Sequence, residues 1–448
     1  MNHPSGMRAF TVVWLGQLVS LVGSGMTRFA LTFWAYQTTE KATTLALVGF
    51  FGTVPMLLLS PLAGALVDRG NRKLMMMLSD IAGGLTSLGI FALYASGHMQ
   101  IWHLFVASAF KGTFEAFQWP AYSAAISTMI PKKQYARASG MMSLADSAAG
   151  IGAPFLAGLL LYIIRLNGIL LIDIATFTVA IGTLLWVSVP QPKISEEGRE
   201  ARGSLLQESL FGFRYILARP SLLGLQTVFL FINLFATFSG SVFPAMILAR
   251  TGNSALQLGS VESAFGIGGV VGGLLLAAWG GPKRKVFGVL GGMALAALLS
   301  GIPMGMGRTL PVWMTAAFLG SLMIPILNGS NQAIWQAKVP PDIQGKVFTA
   351  RRLIAWVANP LSMLLAGPLA DKFFTPALLP EGALAGTFGW LVGTGPGAGI
   401  GLMFVMTGVL ELVVALGALA IPAIRYAEEL VPDHDQAGRG PGTEGSAN

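Results

Sequence analysis

Twelve apolar segments, each long enough to cross a bilayer as a helix, divide this chain of 448 residues. A spanning helix needs about 20 mainly apolar residues, because the hydrocarbon core is about 30 Å thick. Only 11% of the residues are charged, against about 25% in an ordinary soluble domain. Because so few charges cannot cover a water-facing surface, the sequence predicts an all-α polytopic membrane protein. The segments are 10–36, 44–67, 74–95, 101–128, 139–162, 168–189, 222–247, 256–279, 286–306, 311–338, 347–370 and 399–423.

The segments form two groups of six, separated by the longest polar stretch in the interior of the chain. The predicted parts are an N-terminal bundle over 1–189, a cytoplasmic linker over 190–221, a C-terminal bundle over 222–423 and a disordered tail over 424–448. The linker also predicts a short amphipathic helix at the membrane interface. Its apolar residues at helical spacing are Leu205, Leu206, Leu210, Phe213 and Ile216.

Three landmarks recur in both halves at an offset of 209 residues. The offset carries Gly64 onto Gly273, Pro131 onto Pro340, and Gly158 onto Gly367. Because they match in order and at corresponding places, they predict a duplicated architecture of two pseudo-symmetric bundles.

Lysine and arginine are distributed unevenly between the two sides of the predicted bundle. With the N-terminus inside, 21 of the 28 basic residues fall on the interior side and five on the exterior side. The positive-inside rule therefore places both termini in the cytoplasm. The net charge of +8 is dispersed among hairpins, which favours retention in a membrane over binding to nucleic acid.

A doubly charged hairpin, Gly64-Ala-Leu-Val-Asp-Arg-Gly-Asn-Arg-Lys73, joins the second and third segments. In one interpretation it is only a positively charged cytoplasmic turn. In the other, Asp68 faces the N-terminus of a helix in the other half, where the helix dipole favours an anion. Arg69, Arg72 and Lys73 would then pair with acidic groups such as Asp146 or the linker glutamates.

Small residues surround a proline in the fifth segment. The motif consists of Gly150, Gly152, Pro154 and Gly158, with Ala153 before the proline. Proline kinks a helix because it removes a backbone donor and clashes with the preceding turn. Generic close packing of membrane helices is the alternative explanation.

Charged residues inside predicted spans are expensive and point to function. Lys111 and Glu115 are four residues apart, so they share a helix face and can neutralise each other. Together with Arg28 they are predicted to form a polar cluster, although such a cluster could serve packing alone. Glu115 is the first candidate for proton coupling and Asp146 the second, because burial and a nearby cation shift carboxylate protonation in opposite directions. Asp80 and Asp173 are interpreted as packing groups.

Polar and aromatic residues within the spans are candidate substrate contacts, although they could equally join helices. They are Gln17, Gln118, Trp119, Phe235, Asn328, Gln332 and Trp335. Cysteine is absent and the four histidines lie at ends or in loops. The sequence therefore predicts no catalytic site, no metal site and no cofactor.

The hairpin resembles the signature loop of the major facilitator superfamily, in which this loop has a gating role. The Pro154 motif resembles the Gly-Pro-Gly motif of drug antiporters, with Ala153 in place of the usual glycine. Three further stretches look like the macrolide and multidrug efflux branch: the first helix from Trp14, Gln118-Trp-Pro-Ala-Tyr122, and Met129-Ile-Pro-Lys-Lys133. The resemblance implies a monomeric, proton-driven exporter of amphipathic small molecules in the inner membrane, without an ATP site.

Three alternatives remain open at this stage. The first is a dedicated metabolite exporter, for a siderophore or a lysophospholipid. The second is an uptake symporter, and the third is a membrane protein on this fold that transports nothing.

The segment 373–397 is fairly apolar but carries several prolines and glycines. These residues oppose a stable membrane helix. We expect an external loop containing a short helix rather than a thirteenth span.

We predict that Asp68→Asn strongly reduces transport while equilibrium substrate binding changes only a few-fold. The reason is that a gating carboxylate biases the conformational equilibrium without contacting the substrate. Parallel transport and binding assays on the purified variant test this. Unimpaired transport would contradict the gating role.

Overall fold

The computed structural model describes residues 6–131, 134–188, 205–340 and 343–433, and every regular element in them is a helix. The first part of the predicted linker, 190–204, lies outside these residues, as do 434–448 of the predicted tail and the side chains of Asp68, Arg69 and Trp119. The helices are α1 Gly6–Thr39, α2 Ala42–Arg69, α3 Arg72–Ala95, α4 Ile101–Met129, α5 Tyr135–Trp186, α6 Leu205–Leu217, α7 Pro220–Arg250, α8 Ala255–Trp279, α9 Lys285–Met306, α10 Leu310–Lys338, α11 Gln344–Ala377, α12 Ala385–Val392, α13 Ala398–Ala420, α14 Pro422–Arg425 and α15 Ala427–Leu430.

The twelve predicted spans all fall on these helices. Ten helical stretches of the described residues are long and apolar enough to cross a membrane. One of them, α5, covers the fifth and sixth predicted spans and breaks at Arg165, whose φ of 55° is left-handed. The fourth span is α4, whose 29 residues include Lys111 and Glu115. The chain is thus a multi-pass membrane protein.

The described helices form two compact units. In the first unit, α1 lies along α5, α2 along α4, and α3 against both α4 and α5. Small residues permit this packing, because a Cβ on Gly112 of α4 would overlap the carbonyl oxygen of Gly52 on α2. The first unit comprises Met1–Lys193, Gly240–Ile267 and Met363–Ile400.

The repeated glycines make equivalent contacts within the first unit. A Cβ on Gly158 of α5 would lie 2.7 Å from the carbonyl oxygen of Ala255, the first residue of α8. Its counterpart Gly367, on α11, would place a Cβ 2.5 Å from the Cα atom of Thr43, at the start of α2. Each glycine therefore allows its helix to approach the N-terminus of another, as a duplicated architecture predicts.

Asp371 of α11 caps the N-terminus of α2. Its Oδ1 accepts a hydrogen bond from the amide of Ala42 at 2.9 Å. Its Oδ2 accepts from the amide and the hydroxyl of Thr43, at 2.8 and 2.6 Å. The first amides of a helix have no partner within the helix, and the positive end of the helix dipole favours a carboxylate.

The second unit has its own apolar core. The predicted amphipathic helix is present as α6, and Ile216 is fully buried against Trp335, Val339 and Val347. The second unit comprises Ile194–Ser239, Gly268–Ser362 and Gly401–Asn448.

The start of the predicted tail is ordered rather than disordered. Two short helices, α14 and α15, follow the last span. Asp433 lies 2.7 Å from the ammonium group of Lys338, and Glu429 lies 2.8 Å from the guanidinium of Arg284. These ion pairs join the first residues of the predicted tail to Arg284 and Lys338 of the second unit.

Among its described residues, the segment 373–397 holds the last residues of α11 and one further short helix, α12, which is eight residues long. Gly393, Gly395 and Gly397 have positive φ angles, which glycine adopts at little cost. A helix of this length cannot cross the hydrocarbon core, so the segment holds no thirteenth span, as the sequence predicted.

We predict that Gly158→Ala destabilises the protein by about 1–3 kcal/mol, because the added methyl group overlaps the backbone of α8. Gly152→Ala is the matched control, since a Cβ there meets nothing within 4 Å. It should be neutral or slightly stabilising, because alanine has the higher helix propensity. Thermal unfolding of the two purified variants compares them, and equal melting temperatures would contradict the close approach.

Candidate functional site

One face of α1 carries a polar stripe that contacts other helices of the first unit. Gln17 and Ser24 are seven residues apart, two helical turns, so they lie on the same face. The amide of Gln17 donates to Asp80 of α3, and the hydroxyl of Ser24 donates to Asp173 of α5. Polar groups of three helices therefore meet inside the bundle.

The carboxylate of Asp80 is held by two glutamine side chains. Its Oδ2 accepts from Nε2 of Gln17 and its Oδ1 accepts from Nε2 of Gln118, both at 2.8 Å. Nε2 of Gln118 also lies 3.4 Å from Oε1 of Gln17. Asp80 is only 1% exposed, so the amides take the place of water around a carboxylate.

A second buried carboxylate, Asp173, is bound by hydroxyl groups. Its Oδ2 accepts from Ser87 of α3 at 2.7 Å, and its Oδ1 accepts from Ser24 at 3.2 Å. Asp173 is also 1% exposed. The packing role that the sequence suggested for Asp80 and Asp173 is consistent with these bonds.

Lys111 and Glu115 of α4 form an ion pair with 3.6 Å between Nζ and Oε1. Both side chains remain partly open, with 31% of Lys111 and 48% of Glu115 exposed. They line a cavity of about 80 Å³ together with Gln17 and Gln118. The pair therefore faces a cavity and is not sealed in the core.

A larger cavity of about 220 Å³ adjoins the first and shares Gln17, Glu115 and Gln118 with it. Two carboxylates, Glu115 and Asp146, line this cavity. Its remaining lining is aromatic, apolar or amide: Trp14, Gln17, Leu21, Gln118, Tyr122, Met142 and Ala145. An apolar wall with a few converging polar groups is typical of a binding site for a small molecule.

Tyr122 has a hydroxyl oxygen that is buried and lacks a hydrogen-bond partner among the described residues. It lies one helical turn after Gln118 on α4 and lines the larger cavity. A buried hydroxyl is normally paired, so this one is available to a ligand. Its position four residues from Gln118 was the sequence signal that could have identified it.

A third cavity, of about 350 Å³, shares Met142 and Asp146 with the second. Serines and a tyrosine contribute most of its polar lining: Ser123, Tyr135, Ser139 and Ser143. All three cavities border α4, and Asp146 lies where the second and third meet.

Other predicted residues lie elsewhere. Arg28 is exposed and forms no ion pair within 4.0 Å in the described part of the chain, so it does not join Lys111 and Glu115. Nζ of Lys73 donates to the carbonyl of Val187 at 2.7 Å, near the end of α5. The ammonium group therefore binds the negative end of a helix dipole rather than Asp146.

In the second unit, the predicted contact residues do not share one surface. Trp335 is fully buried in the core, where its indole donates to Asn331. Gln332 accepts a hydrogen bond from Arg351 at 3.0 Å. Asn328 is exposed, and Phe235 stacks on Phe231 with 6.4 Å between ring centroids. Trp335 thus packs in the core in this conformation, because it lies on the face of α10 that meets Val347.

The chain is similar to known proteins in family, in sequence and in fold. The family model of the Major Facilitator Superfamily matches residues 13–361. Macrolide efflux protein A of Streptococcus pyogenes is 25% identical over 373 residues, covering 81% of this chain and 89% of the relative. Multidrug efflux pump Tap of Mycolicibacterium fortuitum is 27% identical over 372 residues, covering 79% and 87%.

Among solved structures, a bacterial homologue of the human lysosomal transporter Spinster, inward-facing and unoccupied, superposes with a TM-score of 0.66. It is 18% identical and covers 94% of this chain and 98% of that structure. At this identity the likeness concerns the fold alone. The family match covers most of the twelve predicted spans and includes most of α1 and all of α4 and α5, which carry the cavities. This chain belongs to the major facilitator superfamily and is similar to its macrolide and multidrug efflux proteins.

Proposed function

We propose that this protein is a proton-coupled exporter of amphipathic small molecules, and of cationic ones in particular. The observation that carries the proposal is the cavity of about 220 Å³, in which two carboxylates face aromatic and apolar walls. Carboxylates attract a positive charge, and indole and phenol rings add cation–π attraction. The similarity to efflux proteins supports export rather than uptake.

The substrate would bind with its apolar part against Trp14, Leu21 and Met142 and its positive charge near Glu115 or Asp146. Lys111 lies on the other side of Glu115 and lines only the smaller cavity. Glu115 therefore has two competing counter-charges, the ammonium of Lys111 and the substrate. A carboxylate with exchangeable partners suits a site in which proton and substrate alternate.

The transport cycle that we propose is alternating access in a monomer of the inner membrane with both termini in the cytoplasm. A proton on Glu115 would be released when substrate binds, and a new proton would displace the substrate on the other side of the membrane. Asp146 is the second candidate for this role, because it lines two of the three cavities. The Asp68 hairpin would bias the equilibrium between the two states.

We predict that Glu115→Gln strongly reduces uphill efflux driven by a pH gradient, because glutamine mimics the protonated acid and cannot release a proton. Exchange of substrate down its own gradient should persist in part, since exchange requires no net proton movement. Proteoliposomes with an imposed pH gradient, and counterflow assays with ethidium as the probe, separate the two activities.

The control for this variant is Glu381→Gln, which changes a carboxylate outside the helices that line the cavities. It should transport like the wild type. Uphill efflux by Glu115→Gln with an unchanged pH dependence would move the coupling role to another carboxylate, with Asp146 tested next.

We predict that Tyr122→Phe weakens binding of a probe with hydrogen-bonding groups by about two- to tenfold, which corresponds to one lost hydrogen bond of about 0.5–1.5 kcal/mol. A probe of similar size without such groups should bind unchanged. Quenching of tryptophan fluorescence reports binding, because Trp14 lines the same cavity. Tyr94→Phe, on a residue that packs against Trp34 away from the cavity, is the control. If Tyr122→Phe binds the hydrogen-bonding probe as tightly as the wild type does, the hydroxyl of Tyr122 does not contact the probe.

A further inference from the structure

Asp80 is a buried carboxylate that the proposed cycle does not use. The two groups that bind its oxygens are neutral amides, although Lys111 of the neighbouring helix lines the same cavity as both glutamines. A buried charge held only by neutral donors costs more free energy than one in an ion pair. Packing by itself gives no reason to retain a carboxylate here, since an asparagine would also join the three helices.

We propose that Asp80 is a second proton-binding carboxylate of this transporter, and that it senses the substrate through Gln17 and Gln118. The proposal rests on the proposed function, because it assigns a coupling role to a residue beside the same cavity. Asp80 itself lines none of the three cavities. It is connected to the two smaller ones through Gln17 and Gln118, which line both.

The hydrogen bonds of Asp80 depend on its protonation state. An ionised carboxylate only accepts, and both of its oxygens accept an amide hydrogen here. When a proton binds one oxygen, that oxygen becomes a donor and no longer suits the N–H group that faced it. The glutamine on that side must turn away or rotate its amide so that its Oε1 accepts the new hydrogen. Proton binding at Asp80 therefore rearranges a glutamine.

That rearrangement changes the polar lining of the cavities. Gln17 and Gln118 line both the smaller cavity and the 220 Å³ cavity. While Asp80 is ionised, both amide nitrogens are directed to the carboxylate, which leaves Oε1 of Gln118 as an acceptor for a ligand. A substrate that donates hydrogen bonds, such as an ammonium or amino compound, is bound better in this state. By linkage, binding of that substrate releases the proton, which is the direction that antiport requires.

Asp173 provides a matched comparison in the same unit. It is equally buried, but its partners are the hydroxyls of Ser24 and Ser87. A hydroxyl can turn its hydrogen without moving its oxygen, so proton binding there leaves the surroundings in place. Other ionisable groups on the helices that pack against α3 could also respond to pH, among them His103, Lys111, Glu115, Tyr122, Tyr135, Asp146 and Asp173.

The first experiment needs no substrate. Infrared difference spectra of the full-length protein in liposomes, recorded at stepped pH, report the carbonyl stretch of each carboxyl group that takes up a proton. We expect one band to disappear in Asp80→Asn and to persist in Asp173→Asn. In Gln118→Leu, which keeps Asp80, the band should persist at a shifted frequency because one hydrogen bond is lost. Identical spectra for Asp80→Asn and the wild type would overturn the proposal.

The second experiment tests the link to substrate, with ethidium as a cationic probe that carries amino groups. In the Glu115→Gln background, its Kd should still rise as pH falls, by up to about tenfold per unit where proton and probe exclude each other. Adding Asp80→Asn should remove this dependence, and adding Asp173→Asn should not. A Kd independent of pH in Glu115→Gln alone would overturn the role of Asp80 and leave the proposed export intact.

The two hypotheses fail in different ways. If the wild type neither binds nor transports ethidium and related cations, the proposed substrate class is wrong. The infrared measurement still decides in that case whether Asp80 binds a proton. If Asp80→Asn does not fold, the Gln118→Leu variant decides, because ethidium should remove the protonated-carboxyl band in the wild type and not in Gln118→Leu.

Discussion

The hydrocarbon core of a bilayer supplies no hydrogen-bond partner, and this constraint governs the arrangement of the first unit. Every polar side chain that a spanning helix carries must find a partner within the protein or line a cavity. Gln17 and Ser24 on α1 bind Asp80 and Asp173 on two other helices. These bonds fix the rotation of α1 about its axis, because only one face of α1 can reach both carboxylates.

The same constraint separates carboxylates that are bound by neutral donors from those that line cavities. Asp80 and Asp173 are almost fully buried, and amides or hydroxyls bind their oxygens. Glu115 is half exposed beside Lys111, and Asp146 lies where two cavities meet. Glu115 and Asp146 are therefore open to the cavities directly, whereas Asp80 is connected to them only through glutamines.

Small residues determine how closely the helices approach once the polar groups are paired. Gly158 and Gly367 occupy equivalent places in the two halves, and each lies against the first residues of another helix. The end of α2 that Gly367 approaches is also capped by Asp371. Steric fit and a charge–dipole interaction thus act on the same helix end, which makes this contact more specific than packing alone.

The sequence by itself determined the membrane fold and the local pairs. Hydropathy located the spans because burial in lipid requires long apolar runs. The i, i+4 spacing of Lys111 and Glu115 predicted their ion pair because helix geometry is local. The Gly158 and Gly367 landmarks predicted the repeat.

Only the tertiary structure decided which polar groups meet across helices. Asp80 lies 63 residues from Gln17 and 38 from Gln118 in the chain, and their meeting depends on how three helices are rotated and registered. The residue type of Trp335 made it a candidate substrate contact, yet it packs in the core because its helix turns that face inward. Sequence patterns report the period of a helix and the polarity of its faces. The partner that each face meets is set by packing between segments distant in the chain, which no local pattern encodes.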